Sequence, residues 1–243
     1  MPKDSLGDRM KNYENRFRYM LPRRAYTMIR IDGKSFHNYT KDCGKPFDIF
    51  LIAAMQQTTK FLCEQLNADI GYTQSDEISL VLTDFKNKDS EAYFDGNLQK
   101  INSIAASFAT SKFNQLRMRQ VDSFDIKLAN FDSRVWSLND PWDVYNSFLW
   151  RQQDATRNSV QMVARSLASH KECQNKNSDQ LQELIFQKGQ NYNDYPTFCK
   201  RGTFVYKNDD GYFIDDNCPI LTQDKNWFFK KLPMIDMPER IVP

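Results

Sequence analysis

The sequence predicts an α+β fold of the split βαβ, ferredoxin-like kind, extended by further helices and a β-hairpin. Three observations predict it. A run of period-two alternation ends at an acidic Asp-Gly pair, two short β-like runs flank an acidic tetrapeptide, and two helical stretches separate the strands. The resulting order is strand, helix, strand, strand, helix, strand, in which helices cover one face of an antiparallel sheet. The other sheet face is then available for a site.

Each element follows from its own pattern. Residues 26–32 alternate, with Ile29 and Ile31 on one face and Met28, Arg30 and Asp32 on the other, as the two-residue repeat of a strand requires. The strand ends at Asp32-Gly33, and a polar loop with Gly44 and Pro46 follows. Residues 48–67 set Phe50, Ile52, Ala53, Met55, Thr59, Leu62 and Leu66 near helical spacing behind an Asp48 N-cap. Residues 69–73 and 78–82 read as a hairpin with Gln74-Ser75-Asp76-Glu77 at its tip. A second helix over about residues 98–117 and a strand over residues 124–137 complete a core spanning residues 26–137. Residues 138–243 extend the same single unit, with helices over 140–170 and 178–187 and a hairpin over 203–214 that turns at Asn208-Asp209-Asp210-Gly211. The tail from Asn226 is assigned no structure.

Composition narrows the function classes. A chain of 243 residues with only 8 Gly and 9 Pro is neither a stapled miniature nor a disordered segment. Lys+Arg 33 against Asp+Glu 31 leaves +2, so nucleic-acid affinity has to come from local patches. One such patch is residues 1–30, where eight bases meet three acids and Tyr13, Phe17 and Tyr19 interleave. That pattern fits an RNA-facing segment and a solvated amphipathic helix equally. Arg16, Arg18, Arg23 and Arg24 are its candidate RNA contacts, with Lys200 and Arg201 farther along. The longest apolar run, residues 49–55, is far below the roughly 20 residues of a membrane span, so no membrane partner is expected. Asp4 and Asp8 near the start, without an apolar segment, make a cytoplasmic protein the expectation. Cys43, Cys63, Cys173, Cys199 and Cys218 include no CxxC pair and read as reduced structural thiols.

In the expected sheet order Asp32, Asp76 and Glu77 converge at one end. Three carboxylates that close raise one another's pKa, which makes sense chiefly around a cation. Oxygen-only donors select a hard ion such as Mg²⁺, and two such ions are a known device for nucleotidyl transfer. The plain alternative is an ordinary Asp-Gly turn and an ordinary polar hairpin tip. The run Asp32-Gly33-Lys34-Ser35-Phe36-His37 directly after a strand also offers backbone N–H groups to a phosphate, and Lys45 adds a cation nearby. No Walker motif is present. His37 carries a structural reading beside the phosphate one, His170 reads as surface, and Trp150 reads more readily as core than as an RNA contact.

Six segments then stand in order: Arg30-Ile31-Asp32-Gly33-Lys34-Ser35-Phe36-His37, Lys45-Pro46, Gln74-Ser75-Asp76-Glu77, Phe131-Asp132-Ser133-Arg134, Trp150-Arg151-Gln152-Gln153-Asp154 and Lys200-Arg201-Gly202-Thr203. Together they resemble the tRNA-histidine guanylyltransferase superfamily, 3′-to-5′ polymerases whose catalytic domain is similar to the palm of ordinary polymerases. The resemblance implies that Asp32 and Asp76 ligate two Mg²⁺ ions with the Gly33 carbonyl, Glu77 being a supporting catalytic acid. It implies that Lys34, Ser35, Phe36, His37, Lys45 and Ser75 grip the phosphates of an incoming nucleotide, with Gly44 and Asp48 near its base. Arg30, Lys100 and Arg134 would serve a second triphosphate, and Trp150 and Arg151 would join the tRNA surface. The implied chemistry is attack of a tRNA 5′-monophosphate on ATP, followed by displacement of AMP by the 3′-hydroxyl of GTP or another NTP. A homotetramer is implied as well.

One departure is informative. Eukaryotic tRNA-histidine enzymes carry His-Ile-Asn-Asn-Leu-Tyr-Asn-Thr after the Trp-Arg-Gln stretch, whereas this chain has Thr156-Arg157-Asn158-Ser159-Val160-Gln161-Met162-Val163. Members without that signature resemble the guanylyltransferase-like proteins that add templated nucleotides to 5′-truncated tRNA. Template-dependent 5′-end repair is therefore the expected activity, ahead of non-templated guanosine addition to tRNA-histidine. Two rivals remain open: a palm-like nucleotide cyclase, whose Gly-Gly before the acidic tip is replaced here by Gln74-Ser75, and a non-catalytic RNA-binding module, whose aromatic sheet motif is absent.

Overall fold

The computed structural model describes residues 5–87, 89–120 and 127–234. Ser5 caps α1, Leu6–Asn15, which buries none of its residues, so the basic N-terminal segment is a solvated helix there. Residues 1–4 of that segment lie outside the described residues. β1 is Tyr26–Gly33, and a short turn, α2, covers Phe36–Tyr39. α3, Ile49–Leu66, begins where Asp48 accepts the Leu51 N–H at 2.9 Å and ends at Asn67 in the left-handed region. β2, Ile70–Gln74, and β3, Glu77–Leu82, form the expected hairpin. Asn97 caps α4, Leu98–Met118, by accepting the Lys100 N–H at 3.1 Å.

β4 is Phe131–Leu138, later than the strand expected from Phe124. The Asn114 side chain binds both the N–H and the carbonyl of Ala129 at 2.9 Å, which holds that residue against α4 instead of β1. Residues 124–126 lie outside the described residues. α5, Pro141–Leu167, starts behind an Asp140 cap with proline in its first turn. α6, His170–Cys173, and α7, Ser178–Gln187, each open with a capping box, Ser169 with Glu172 and Asn177 with Gln180. α8, Thr197–Arg201, leads into the hairpin of β5, Thr203–Asn208, and β6, Gly211–Asp215. The tail corrects the sequence reading. Asp224 caps α9, Lys225–Phe229, whose Phe228 is fully buried. Residues 235–243 lie outside the described residues.

All strands join one antiparallel sheet in the order β4-β1-β3-β2-β5-β6. Its first four members reproduce the split βαβ arrangement, and β5 adds beside β2. Ile29, Ile31, Ile78 and Leu80 pack under α3 and α4 with Ala105 and Phe113. The second face is more closed than expected: Tyr26, Met28, Tyr72 and Phe204 pack against Phe148 of α5 and Phe228 of α9. What stays accessible on that face is the end carrying Asp32, with Asp132 and Arg134 exposed on β4. Among the described residues no helix is long and apolar enough to cross a membrane.

The five cysteines are free, with Cys63, Cys199 and Cys218 buried. Burial pushes the Cys199 thiol to about 11 and the Cys218 thiol to about 12, so neither is a nucleophile at neutral pH. Native alkylation followed by mass spectrometry is expected to label the half-buried Cys43 and Cys173 first. Equal labelling of Cys63 in the folded protein would contradict this packing.

Candidate active site

Gly33 explains how the hairpin tip reaches the end of β1. A Cβ at that position would lie 2.3 Å from Cδ2 of Phe36 and 3.0 Å from Cβ of Asp76, so a bare backbone is what lets both close in. The Gly33 N–H donates to the Asp76 carbonyl at 3.1 Å, and Ser75 turns the tip with φ 51°. Asp76 is thereby seated within electrostatic reach of Asp32. Burial pushes its carboxyl above the usual range, a hydrogen bond from Ser75 opposes this, and the Asp32 charge adds to the rise.

Glu77 departs from the expected trio. It stands opposite Asp32 in register, yet its Oε1 lies 2.9 Å from Nε of Arg151 on α5, with side-chain exposures of 12% and 9%. Burial raises the Glu77 carboxyl, Arg151 and Arg30 counter that, and Asp32 raises it further. Arg151 also bridges to Asp154 and is therefore corrected from an RNA contact to a buried partner of two acids. The hydrophobic stripe of α5 carried a signal for this: the spacing from Phe148 to Ala155 puts residues 151 and 152 inward. By the same geometry Trp150 is 52% exposed, not core, and its ring centroid lies 5.9 Å from the Arg30 guanidinium and 4.1 Å from that of Arg151.

Among the described residues no three His, Cys, Asp or Glu side chains are grouped to hold a metal ion. What remains is two carboxylates, Asp32 and Asp76, beside the Gly33 carbonyl. Such hard oxygen donors fit Mg²⁺, which takes one or two protein carboxylates and completes its shell with water and substrate phosphates. A cation there would also relieve the unfavourable pairing of two neighbouring acids. Asp132, unnoticed in the sequence as a site residue, stands opposite Asp32 on the β4 side, 3.6 Å from the Arg134 guanidinium.

The loop after β1 offers fewer phosphate donors than the sequence suggested. The Lys34 N–H is taken by the Asn130 carbonyl at 2.8 Å, and the Phe36 side chain is buried against Tyr39, Phe113 and Phe131. Among the described hydrogen bonds none takes the N–H of Ser35, Phe36 or His37, and the Lys34, Ser35 and His37 side chains are exposed. Residues 44–48 and Ser75 line a cavity of about 110 Å³ beyond this loop. Asp48 fixes its rim by accepting the N–H groups of Leu51 and Gly44 at 2.9 Å and 3.1 Å. Burial pushes the Asp48 carboxyl up, but these two donors, the Arg117 charge and the Phe50 N–H together hold the group below its usual range. Lys45 donates to the Thr40 carbonyl at 3.2 Å. The opposite wall comes from Ala155, Asn158, Ser159 and Met162 of α5, residues that local sequence gave no reason to select.

Arg30 and Arg134 are direct partners across β1 and β4, and Arg30 Nε is buried without a hydrogen-bond partner. Lys100 does not join them. It lies in the first turn of α4, beneath the opposite sheet face and at the far end from Asp32, with its ammonium 5.9 Å from the Phe94 ring. Of the RNA candidates, Arg16 stacks on Tyr13 at 4.8 Å and Arg18 and Arg24 are exposed. Arg23 is exposed as well, with its guanidinium also meeting Asp84 at 2.8 Å and Asp95 at 3.4 Å. Lys200 donates to the Asn193 carbonyl at 2.6 Å, and Arg201 reaches Thr197 at 3.4 Å.

Comparison with known proteins agrees with this architecture. A bacterial tRNA(His) guanylyltransferase (Thg1)-like protein in complex with ATP is 41% identical, covering 95% of this chain and 100% of that one with a TM-score of 0.89. A structure of a bacterial tRNA(His) guanylyltransferase (Thg1)-like protein in complex with GTP is 39% identical with a TM-score of 0.82, covering 95% of this chain and 100% of that one. The tRNA(His) guanylyltransferase of Saccharomyces cerevisiae is 29% identical over 74% of this chain and 82% of its own. Residues 7–139, more than half of the sequence, match the family model described as tRNAHis guanylyltransferase, and the chain belongs to that family.

Proposed function

We propose that this chain adds nucleotides in the 3′-to-5′ direction to the 5′ end of tRNA, restoring truncated ends against the opposite strand as template. The observation that carries the reading is the seating of Asp76 against Asp32 beside the cavity rimmed by residues 44–48. That arrangement suits a nucleoside triphosphate whose charged tail lies at the acids and whose base enters the cavity. Two Mg²⁺ ions held by Asp32, Asp76 and the Gly33 carbonyl would supply the positive charge that phosphoryl transfer needs.

The protein groups do the positioning. The N–H groups of Ser35, Phe36 and His37, with Ser75 and the Lys45 ammonium, hold triphosphate oxygens, and Gly44 and Asp48 keep the rim of the base cavity rigid. Arg30 and Arg134, adjacent on one sheet face, are suited to a second triphosphate or to the tRNA 5′-phosphate. The chemistry runs as two substitutions at phosphorus: the tRNA 5′-phosphate displaces pyrophosphate from ATP, then the 3′-hydroxyl of an incoming NTP displaces AMP. Holding the partners in line is the larger part of such catalysis. A homotetramer acting in the cytoplasm belongs to the same reading.

Two observations favour repair over guanosine addition to tRNA-histidine. In structural alignment, identity is 41% and 39% to structures of bacterial guanylyltransferase-like protein and 24% to the yeast enzyme. The α5 stretch that lacks the eukaryotic signature also supplies Asn158, Ser159 and Met162 to the cavity wall. Incubation with Mg²⁺, ATP, labelled NTPs and a tRNA lacking its first 5′ nucleotide tests the reading. Incorporation is expected to follow the base opposite the gap. Guanosine added whatever that base, a cyclic nucleotide product, or tRNA binding without turnover would each contradict it.

A further inference from the structure

At the far end of α5 a cavity of about 260 Å³ opens between α5, α6 and α7. Arg165, His170 and Lys176 line it, with the amides of Gln161, Gln174 and Asn175 between them. No acid lines it. Of the acids on α6 and α7, Glu172 is engaged by Lys188 at 2.8 Å and by Ser169, while Asp179 and Glu183 line a separate depression. No side-chain hydrogen bond or ion pair among the described residues occupies Arg165, His170 or Lys176, so the two cations, Arg165 and Lys176, face the cavity uncompensated and the His170 ring adds hydrogen-bonding nitrogens.

The cavity is also continuous with a pattern along the helix. Arg157, Gln161 and Arg165 are spaced four apart on the exposed side of α5, about 6 Å per step along the axis. Arg157 opens onto a second depression with Lys200 and Arg201. Arg157 shares its guanidinium with Asp154 at 2.9 Å, so the unpaired cations are those of the cavity itself. Cations set among amide groups suit a sugar-phosphate backbone, in which charged side chains meet phosphate oxygens and amides meet phosphate and sugar oxygens. An acidic peptide offers no such pairing.

We propose that the α5–α6–α7 cavity is a phosphodiester-docking site that anchors the RNA substrate away from the catalytic acids. It rests on the tRNA reading above. The site gives affinity and register but no base choice, because phosphate contacts carry no sequence information.

The double variant R165Q/K176Q tests it through tRNA binding measured by fluorescence anisotropy across a salt series. Both residues are exposed and unpaired, so the fold and the ATP affinity are expected to be unchanged. tRNA affinity should fall, and the slope of log K against log salt should shrink by about 1.5, close to 0.7–0.9 for each lost phosphate contact. A slope and affinity equal to those of the unaltered protein would overturn the proposal. Loss of inorganic phosphate binding with tRNA affinity intact would overturn it too, by making the cavity a free-anion site. If the unaltered protein adds no nucleotide to tRNA, yet the variant still loses tRNA affinity, the docking site stands and the polymerase reading fails.

Discussion

If the proposed assignment holds, Asp32→Asn and Asp76→Asn are each expected to lower nucleotide transfer by at least about 10³-fold, the ~4 kcal/mol expected when a carboxylate proposed to hold the ions of the reaction is replaced by a neutral amide. Circular dichroism is expected to stay close to that of the parent, because both groups sit at a strand end and a turn instead of in the core. The Asp76 variant carries a second signature. Its carboxyl lies above the usual range through burial and the nearby Asp32 charge, so ionising it opposes folding when no cation is bound. The parent protein, freed of divalent ions, therefore gains stability as the pH falls through that raised pKa, a gain complete below the ordinary carboxylate value. Asp76→Asn removes this contribution. Paired pH titrations of unfolding free energy in a chelator check it, and identical profiles would contradict the seating of Asp76 against Asp32.

Arg151→Met is expected to cost about 3–5 kcal/mol of stability, because it leaves Glu77 buried without its countercharge. The double variant Arg151→Met with Glu77→Gln should recover much of that loss, since the buried charge is removed along with its partner. Urea unfolding of the single and double variants measures both. A single variant within 1 kcal/mol of the parent would mean that water reaches Glu77, about the size of an exposed pair. Arg151→Lys should fall between, lacking the planar fork that reaches Glu77 and Asp154 together.

Much of the core was legible because it rests on local patterns. The alternation at Ile29 and Ile31, the Asp48 cap and the polar hairpin tip are each fixed within a few residues. Strand order then followed from connectivity, and with it the meeting of Asp32 and Asp76. Pairings between distant segments were not legible. Nothing around Glu77 announces that Arg151 will reach it from α5, and nothing around residues 44–48 announces that Asn158 and Ser159 will face them. Lys100 shows the converse: a residue aligned by resemblance sits on a helix whose direction, set by the α4 to β4 connection, carries it away from Asp32. Short elements such as α9 escaped because five residues cannot display a period, although the Asp224 cap ahead of Trp227 was available as a signal.

A crystal of the protein grown with ATP and Mn²⁺, with data collected at the manganese edge, shows directly whether Asp32 and Asp76 hold divalent ions against a triphosphate. Anomalous peaks bounded by the Asp32 and Asp76 carboxylates and the triphosphate oxygens are the expected result. A triphosphate bound elsewhere, or one seated at the residue 33–37 turn with no peak between those two carboxylates, would contradict it.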